Sequence, residues 1–125
     1  MGGRTYRELL CMDYLWAYKD KAVYVITHTE QNPKENTHFI TEHIIEAISQ
    51  LQEESGRDIW LMGGGEITTL FLNNDLVDEM IITTMPIILG DGISLFLNNP
   101  KESNWKAVEV QNFENGVSQT KFIKK

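Results

Sequence analysis

The sequence predicts a single mixed-sheet α/β domain, and three observations support that prediction. Apolar runs of strand length alternate with segments of helical period over the first part of the chain. Two β-rich segments close the chain around an Asn-Gly pair, which is typical of a hairpin. The length of 125 residues is ordinary for one domain. The alternation favours parallel strands, and the hairpin adds antiparallel strands at the end.

The N-terminal part of the chain predicts one helix and two strands. Residues 5–10 suit a short helix with an N-cap near Thr5, and residues 13–20 lack a clear period, which is typical of a loop. Residues 22–27 are rich in β-branched and aromatic side chains, which favours a strand. Residues 37–40 predict a second, short strand.

A longer helix and a glycine-terminated strand follow. Thr41 is expected to cap the helix, and Gly56 is expected to end it. The apolar residues of this helix fall on one face: Ile44, Ile45, Ile48 and Leu51. The apolar run of residues 59–62 predicts a buried strand, and a helix is expected from about residue 66 to residue 72. The core face of that helix contains Ile67, Leu70 and Phe71.

The C-terminal part of the chain predicts β-structure. Residues 79–89 are β-rich, and Pro86 within them predicts a bend or a sheet edge because proline has no amide hydrogen for a strand ladder. Residues 106–111 and 117–123 predict two strands. The pair Asn115-Gly116 between them is a strong hairpin signal.

The composition is that of an ordinary globular protein and argues against some kinds of partner. Hydrophobic residues make up 42% and charged residues 23% of the chain, and the formal net charge is -7. Non-specific nucleic-acid binding requires a basic face, so no nucleic-acid partner is expected. No apolar run reaches the roughly 18 residues of a membrane span and no signal peptide opens the chain, so a cytoplasmic protein without membrane contact is expected.

The cysteine and histidine residues predict no internal disulfide and no metal site. Cys11 is the single cysteine, and it is expected to be a small, buried or half-buried hydrophobic residue rather than a nucleophile. His38 and His43 lack flanking carboxylates in a metal-binding pattern, which favours surface positions. The spacing supports no Ser/His/Asp arrangement and no pair of catalytic carboxylates, so no catalytic residue is assigned.

The run Gly63-Gly64-Gly65 points most directly to function. Glycine lets the backbone turn sharply and approach a ligand closely. Amides at the start of the following helix favour negative charge. The run therefore predicts a turn that binds a phosphate or a cofactor, and the alternative is a tight turn without a ligand. Three successive glycines carry a backbone-entropy cost that an ordinary turn does not require, which favours binding. The pattern is not the dinucleotide fingerprint G-x-G-x-x-G.

Two further segments are candidates for the same ligand. Gly2, Arg4 and Thr5 combine amides, a guanidinium and a hydroxyl at a helix start, which suits a phosphate, while a frayed terminus is the alternative. Thr27 and His28 follow a strand, and ligands of open α/β sheets bind beyond the carboxyl ends of the strands. For His28 the alternative is a solvated loop position.

Several of these motifs occur in the order that is typical of one family. The segments 59–66, 71–79 and 85–96 read IWLMGGGE, FLNNDLVDE and MPIILGDGISLF. They closely resemble the dihydrofolate reductase superfamily, in a bacterial branch similar to the C-terminal domain of RibD, the bifunctional enzyme of the riboflavin pathway. Residues 1–6 are similar to the MGRxTY segment of that family. The resemblance covers nearly the whole chain and implies a three-layer fold in which helices flank a mixed sheet.

The resemblance implies NADPH as the cofactor and assigns residues to it. The turn that contacts the diphosphate and the nicotinamide side matches the glycine run and the helix start after it: Gly63, Gly64, Gly65, Glu66 and Ile67. The second phosphate-binding turn of the family matches Gly2, Arg4 and Thr5. The residues near the adenosine 2′-phosphate match Thr27 and His28.

Two departures from the family pattern bear on activity. Gly3 stands where the family segment usually has arginine, which leaves the phosphate contact of Arg4 open. The family's first strand, its substrate-side loop and most of its second strand are expected ahead of the position of Met1. Three interpretations follow: a longer protein, a second copy that supplies strands across a dimer, or a reduced domain that closes the gap. The last two favour a homodimer.

The resemblance implies hydride transfer from NADPH to a small heterocyclic or sugar-derived substrate, such as a pyrimidine or a pterin-like compound, as in the riboflavin pathway. The alternative is a noncatalytic protein that binds a nucleotide or serves as a structural dimer.

Overall fold

The computed structural model describes residues 1–12 and 16–125, which contain three helices and five strands. The helices are α1 (Gly3–Cys11), α2 (Ile44–Glu53) and α3 (Gly65–Asn73). The strands are β1 (Val23–Ile26), β2 (Thr37–Ile40), β3 (Glu79–Thr84), β4 (Trp105–Asn112) and β5 (Ser118–Lys124). Part of the loop predicted at residues 13–20 lies outside the described residues, and residues 17–20 form a turn.

The strands form one parallel and one antiparallel sheet, which confirms the mixed α/β class. β1 pairs with β2 in parallel, with Val23 opposite Thr37 and Ile26 opposite Ile40. The second sheet is antiparallel in the order β3-β5-β4, so β5 is its central strand. Within the described residues, no strand pairing connects the two sheets.

Two clusters of buried side chains hold the parallel sheet to the helices. Tyr6 of α1 packs with Val23 and Val25 of β1, and all three are buried. Ile26 of β1 packs with Ile48 of α2 and Phe71 of α3. Partly buried residues from the predicted helix faces complete the second cluster, which confirms those faces: Ile44, Leu51, Ile67 and Leu70. The core therefore lies around β1, at the meeting point of the three helices. Cys11, the last residue of α1, is exposed, so its predicted burial is wrong.

The C-terminal hairpin confirms its Asn-Gly signal. Gly116 has a φ of 84°, which favours glycine. The Phe113 amide donates to the Val117 carbonyl at 2.9 Å, and the Gly116 amide donates to the Phe113 carbonyl at 2.9 Å. β3 ends at Thr84, two residues before Pro86, which confirms the predicted interruption of the β-rich segment.

Three predicted helix boundaries are wrong. α1 begins at Gly3 rather than near Thr5, because Gly2 is held in extended conformation by its hydrogen bond to Gly63. α2 begins three residues after Thr41, because the chain at Ile40 is still bonded to the end of β1. Gly56 does not end α2, since the helix stops at Glu53 and Glu54 is extended.

The buried strand predicted at residues 59–62 is also wrong. Within the described part of the chain these residues belong to no strand ladder. Ile59 is 53% exposed and Trp60 is 72% exposed, while Leu61 packs at the margin of the core around Phe71. An apolar run forms a buried strand only when neighbouring strands cover its backbone, and the run alone does not supply them.

Candidate functional site

Two glycine-led turns meet at the starts of α1 and α3. The Gly2 amide donates to the Gly63 carbonyl at 2.8 Å, and Gly2 also forms an isolated parallel bridge with Ile26. Ile26 is the last residue of β1, so both helix starts lie at the carboxyl end of that strand. Ligands of open α/β sheets bind at this position. The structure thus brings together two segments that the sequence indicates separately.

Neither helix start is capped by a side chain. The N-cap residues are Gly2 and Gly64, both extended, and neither provides a capping hydrogen bond. The first amides to bond back within each helix are those of Tyr6, to the Gly2 carbonyl, and Thr68, to the Gly64 carbonyl. The amides before them have no intrahelical acceptor. The positive ends of two helix dipoles and two sets of free amides therefore lie at one place, which suits an anionic group.

The three positions of the glycine run differ in backbone conformation and in what a side chain would contact. Gly63 has a φ of 89°, a conformation that side chains rarely adopt, and its peptide bond to Gly64 is cis. A Cβ on Gly64 would meet only the Thr5 hydroxyl oxygen, at 3.9 Å, so this side of the turn is open. A Cβ on Gly65 would lie 2.9 Å from Leu97 Cγ. Packing against Leu97 therefore explains Gly65, whereas the open face of Gly64 is available to a ligand.

Ile67 and Glu66 contribute differently to the start of α3. A Cβ on Gly2 would lie 3.1 Å from Ile67 Cγ1, so Ile67 supports the contact between the two turns. Glu66 is exposed in the first turn, where a carboxylate stabilises the helix but repels a second anion. α1 has no acidic residue in its first turn. A phosphate is therefore favoured more at the α1 side, beside Thr5, than over Glu66.

Thr27 lies against the start of α1. A Cβ on Gly3 would lie 2.7 Å from Thr27 Oγ1, so the position at which the family segment has arginine leaves no room for a side chain here. The Thr27 hydroxyl donates to the Thr29 carbonyl at 3.0 Å and accepts from Gln31 Nε2 at 3.4 Å. These bonds stay within its own loop, so direct cofactor contact by Thr27 stays a prediction.

Gln31 is a site residue that the sequence did not indicate. Its Nε2 lies 3.2 Å from the Cβ position of Gly3, and its buried Oε1 has no hydrogen-bond partner among the described residues. No motif marks Gln31, because its position depends on how the loop after β1 returns across α1.

Arg4 and His28 extend into solvent. The Arg4 side chain is 83% exposed, and its Nε donates to Glu8 Oε1 at 3.3 Å. An exposed pair of this spacing contributes only about 0.3–0.5 kcal/mol, so Arg4 is readily released to another anion. His28 is exposed beside Thr27. Their roles as cofactor ligands stay predictions.

A cleft of about 1100 Å³ adjoins the glycine run. Residues 57–65 line one part of it, residues 79–82 of β3 line another, and Leu95 and Phe96 contribute side chains. Its charged residues are five carboxylates and one guanidinium: Glu54, Asp58, Asp75, Asp78, Glu79 and Arg57. Such a lining disfavours an anionic group within the cleft, so the start of α1 suits an anion better.

Lysines of β5 pair with two of the cleft carboxylates. The hydrogen bond and the charge of Lys124 lower the pKa of the Asp75 carboxyl below its ordinary value. The hydrogen bond from Lys121 Nζ to Glu79 Oε2, at 2.8 Å, raises the pKa of Lys121. An ionised Asp75 has no proton to donate, so it is not a general acid at neutral pH. No catalytic residue is assigned.

Metal-binding and membrane-spanning features are not found in the described residues. Among residues 1–12 and 16–125, no group of three or more His, Cys, Asp and Glu side chains is arranged to hold a metal ion. None of the helices in those ranges combines the length and the apolar character that crossing a membrane requires.

Comparison with known proteins shows a single family across most of the chain. The model of the RibD C-terminal domain matches residues 4–118. The uncharacterized protein YwjB of Bacillus subtilis (strain 168) is 32% identical over 118 residues, which cover 94% of this chain and 68% of YwjB. The uncharacterized protein YyaP of the same organism is 36% identical over 99 residues, or 79% of this chain. This chain spans 53% of the length of YyaP.

Two further comparisons concern riboflavin biosynthesis. The riboflavin biosynthesis protein RibD of Corynebacterium ammoniagenes is 36% identical over 52 residues, which cover 42% of this chain and 15% of that protein. A solved structure from Shewanella sp. PV-4, whose name assigns it provisionally to riboflavin biosynthesis, superimposes with a TM-score of 0.85 at 26% identity. The superposition covers 100% of this chain and 72% of that one. The fold is therefore the one expected from the resemblance to dihydrofolate reductase and RibD.

Proposed function

Because the chain belongs to the RibD C-terminal domain family, we propose that it binds NADPH at the meeting point of α1 and α3 and transfers hydride to a small heterocyclic substrate. The observation that carries this proposal is the hydrogen bond between Gly2 and Gly63, at 2.8 Å, which joins two uncapped helix starts. Two sets of free amides beside one open glycine face fit a diphosphate group. The names of the RibD relative and of the Shewanella structure support a riboflavin-type substrate.

The diphosphate would lie at the start of α1. The first-turn amides of α1, the Thr5 hydroxyl and the open face of Gly64 are its proposed ligands. Arg4 would turn from Glu8 towards the phosphate at small cost, since the present pair is exposed. His28 would contact the adenosine 2′-phosphate, with Thr27 and its hydrogen bonds setting the path of the loop.

The acidic cleft is the proposed substrate side. When bound, NADPH supplies the hydride, and the protein positions the two reactants and excludes water. The cleft adjoins Gly64 and Gly65 at the far side of the glycine run, so a substrate there would lie next to the cofactor turn. Its carboxylates suit hydrogen bonds from ring amino and imino groups, which pyrimidine and pterin-like compounds carry.

The binding part of the proposal is tested by thermal unfolding with NADPH. A ligand at 100 times its Kd stabilises the folded state by about 2.7 kcal/mol, which raises the Tm by several degrees. Gly64→Val should abolish this shift, because its side chain would occupy the open face. The variant should still fold, since Gly64 has a φ of -72° and its Cβ would meet only Thr5 at 3.9 Å.

Gly56→Val is the matched control. A Cβ on Gly56 would meet nothing within 4 Å, and this residue lies outside both glycine turns. The control should keep the full NADPH shift. Absence of any shift for the wild type at millimolar NADPH would refute the cofactor assignment, and a Gly64→Val chain that fails to fold would show that the glycine is structural.

The catalytic part is tested by following NADPH absorbance with pyrimidine, pterin and quinazoline compounds. The reductase predicts consumption of NADPH with at least one of them, and Gly64→Val should lose it. Stabilisation by NADPH without turnover on any compound would contradict the reductase and favour the noncatalytic nucleotide-binding alternative.

A further inference from the structure

α3 is covered by the protein on two opposite sides. Successive residues of an α-helix are rotated by about 100°, so Gly65, Thr69 and Asn73 lie along one face of α3. Ile67 and Phe71, which pack into the core with Ile26 of β1, lie on the opposite face. Thr69 is nevertheless only 3% exposed. The face of α3 that points away from the core is therefore also covered by chain.

Residues 97–101 provide this second cover, and we call them the covering segment. At the start of α3, Leu97 Cγ lies 2.9 Å and Leu97 Cδ1 lies 3.0 Å from the position that a Cβ of Gly65 would take. At the end of α3, the Lys101 amide donates to Asn73 Oδ1 at 2.7 Å, and Lys101 Nζ donates to the Asn73 carbonyl at 3.0 Å. The chain between these two contacts therefore passes along the outer face of α3.

The contact at Asn73 holds the covering segment at the end of α3. The last carbonyls of a helix have no amide partner within it, and Lys101 Nζ provides a donor for one of them. The ammonium charge also interacts favourably with the negative end of the helix dipole. Asn98 and Asn99 have positive φ values of 57° and 51°, a conformation that asparagine adopts more readily than most residues. The covering segment therefore follows a defined path between its two contacts.

The contact at Leu97 lies beside the turn that is proposed to bind NADPH. Gly64 is the N-cap of α3 and Gly65 is its first residue, so the position of Gly65 determines how Gly64 presents its open face. The φ of Gly65 is not positive, unlike that of Gly63, so the backbone conformation does not require glycine at this position. The available space does require it, because Leu97 lies well inside the roughly 3.5–4.0 Å at which carbon atoms pack.

We propose that Leu97 is a positioning residue for NADPH, a role that rests on the proposed NADPH site. Leu97 fixes the start of α3 between the core and the covering segment, and it thereby holds the open face of Gly64 towards the diphosphate. Gly65 is glycine to admit Leu97 and is not itself a cofactor ligand. A group that binds a phosphate must lie within hydrogen-bond distance of it, so a shift of about 1 Å at Gly65 weakens binding.

A double-mutant cycle on Gly65→Ala and Leu97→Ala tests this role. The Kd for NADPH is measured by isothermal titration calorimetry at a temperature at which every variant is folded. Gly65→Ala alone should raise the Kd by roughly tenfold, because the new methyl group displaces either Leu97 or the start of α3. In the Leu97→Ala background the methyl group has room, so adding Gly65→Ala should not raise the Kd further.

Two results of the cycle would overturn the proposal. If Gly65 contacts the cofactor directly, Gly65→Ala raises the Kd by the same factor with and without Leu97. If neither single variant changes the Kd, Leu97 does not position the turn.

Leu70→Ala is the matched control for a general loss of stability. Leu70 belongs to the same helix but packs on the core side, away from the covering segment. Its truncation should lower the Tm by several degrees and leave the Kd for NADPH unchanged. A rise in Kd as large as that of Leu97→Ala would show that loosening α3 anywhere weakens binding, and it would overturn the specific role of Leu97.

Thermal melts without ligand separate this proposal from the cofactor assignment. A wild type that does not bind NADPH refutes the proposed function, and the role of Leu97 in NADPH binding falls with it. The contact itself is then judged by the Tm values of the same four chains. Gly65→Ala should lower the Tm by several degrees in the wild-type background and by much less in the Leu97→Ala background. Equal decreases in the two backgrounds would refute the contact whatever the cofactor.

Discussion

The buried hydroxyl of Tyr6 ties α1 to the loop between β1 and β2. The Tyr6 side chain is fully buried, and its ring packs edge-on against Trp16 and Phe39 at centroid distances of 5.8 and 5.7 Å. The hydroxyl donates to the Asn32 carbonyl at 2.7 Å and accepts from the Lys34 amide at 3.1 Å. Tyr6→Phe keeps the ring and removes both hydrogen bonds.

The expected loss follows from these two bonds. A net hydrogen bond contributes about 0.5–1.5 kcal/mol, and a buried polar group left without a partner costs about 1–3 kcal/mol. Asn32 and Lys34 are exposed residues, so water can partly replace the Tyr6 hydroxyl as the partner of the Asn32 carbonyl and the Lys34 amide. Tyr6→Phe should therefore lower the free energy of unfolding by about 1–3 kcal/mol. For a domain of this size the Tm should fall by about 4–10 °C.

Urea unfolding and thermal melting measure this loss against a matched control. Tyr24 is half-buried and stacks on His38 at a centroid distance of 5.1 Å, and its hydroxyl has no hydrogen-bond partner among the described residues. Tyr24→Phe should change stability by less than about 0.5 kcal/mol. The reasoning is refuted if Tyr6→Phe is as stable as Tyr24→Phe, because the two hydroxyl bonds would then contribute nothing.

Two further predictions concern packing at α1 and the dependence on pH. Gly3→Ala should lower the free energy of unfolding by about 1–3 kcal/mol in the same melts, because its Cβ would lie 2.7 Å from Thr27 Oγ1. Gly56→Ala is the control, since a Cβ there would meet nothing within 4 Å. Equal losses of stability in the two variants would contradict the predicted clash with Thr27. The hydrogen bond from Lys124 lowers the pKa of Asp75 in the folded chain. The ionised Asp75 therefore stabilises the fold at every pH above the ordinary carboxyl pKa. This stabilisation is lost as the pH falls through the lowered pKa of the folded chain. Urea midpoints measured from about pH 7 to pH 2 should therefore fall more steeply for the wild type than for Asp75→Asn below about pH 4, and parallel curves would refute this.

Most elements of the fold follow from short-range patterns. The β-branched run of β1, the apolar face of α3 and the Asn115-Gly116 turn each depend on neighbours within a few residues, and each is confirmed by the structure. The helix boundaries were less predictable. The Gly2 amide donates to the Gly63 carbonyl, and the carbonyl of Ile40, next to Thr41, accepts from the Thr27 amide. These bonds to other segments determine where α1 and α2 begin, so the N-caps predicted from the local sequence are wrong.

The candidate site was predictable as a set of residues and not as an arrangement. Both glycine motifs are evident in the sequence, but their contact joins residues that are about sixty positions apart. The sequence does not distinguish Gly64 from Gly65. In the structure, Gly65 packs against Leu97, whereas Gly64 has an open face. Gln31 has no motif at all, and its place beside Gly3 follows from the path of a loop.

The sequence by itself determined the α/β class, the strands and helices with clear periods, the hairpin and the two glycine turns, because each arises from local backbone preferences and side-chain periodicity. Only the tertiary structure decided that the two turns meet and that, within the described residues, residues 59–62 lie outside any strand ladder and β3 pairs with β5 alone. These features depend on which distant segments supply hydrogen-bond partners and apolar contacts. No local pattern encodes that choice, since every apolar strand has the same need for a neighbour and does not specify which one it will find.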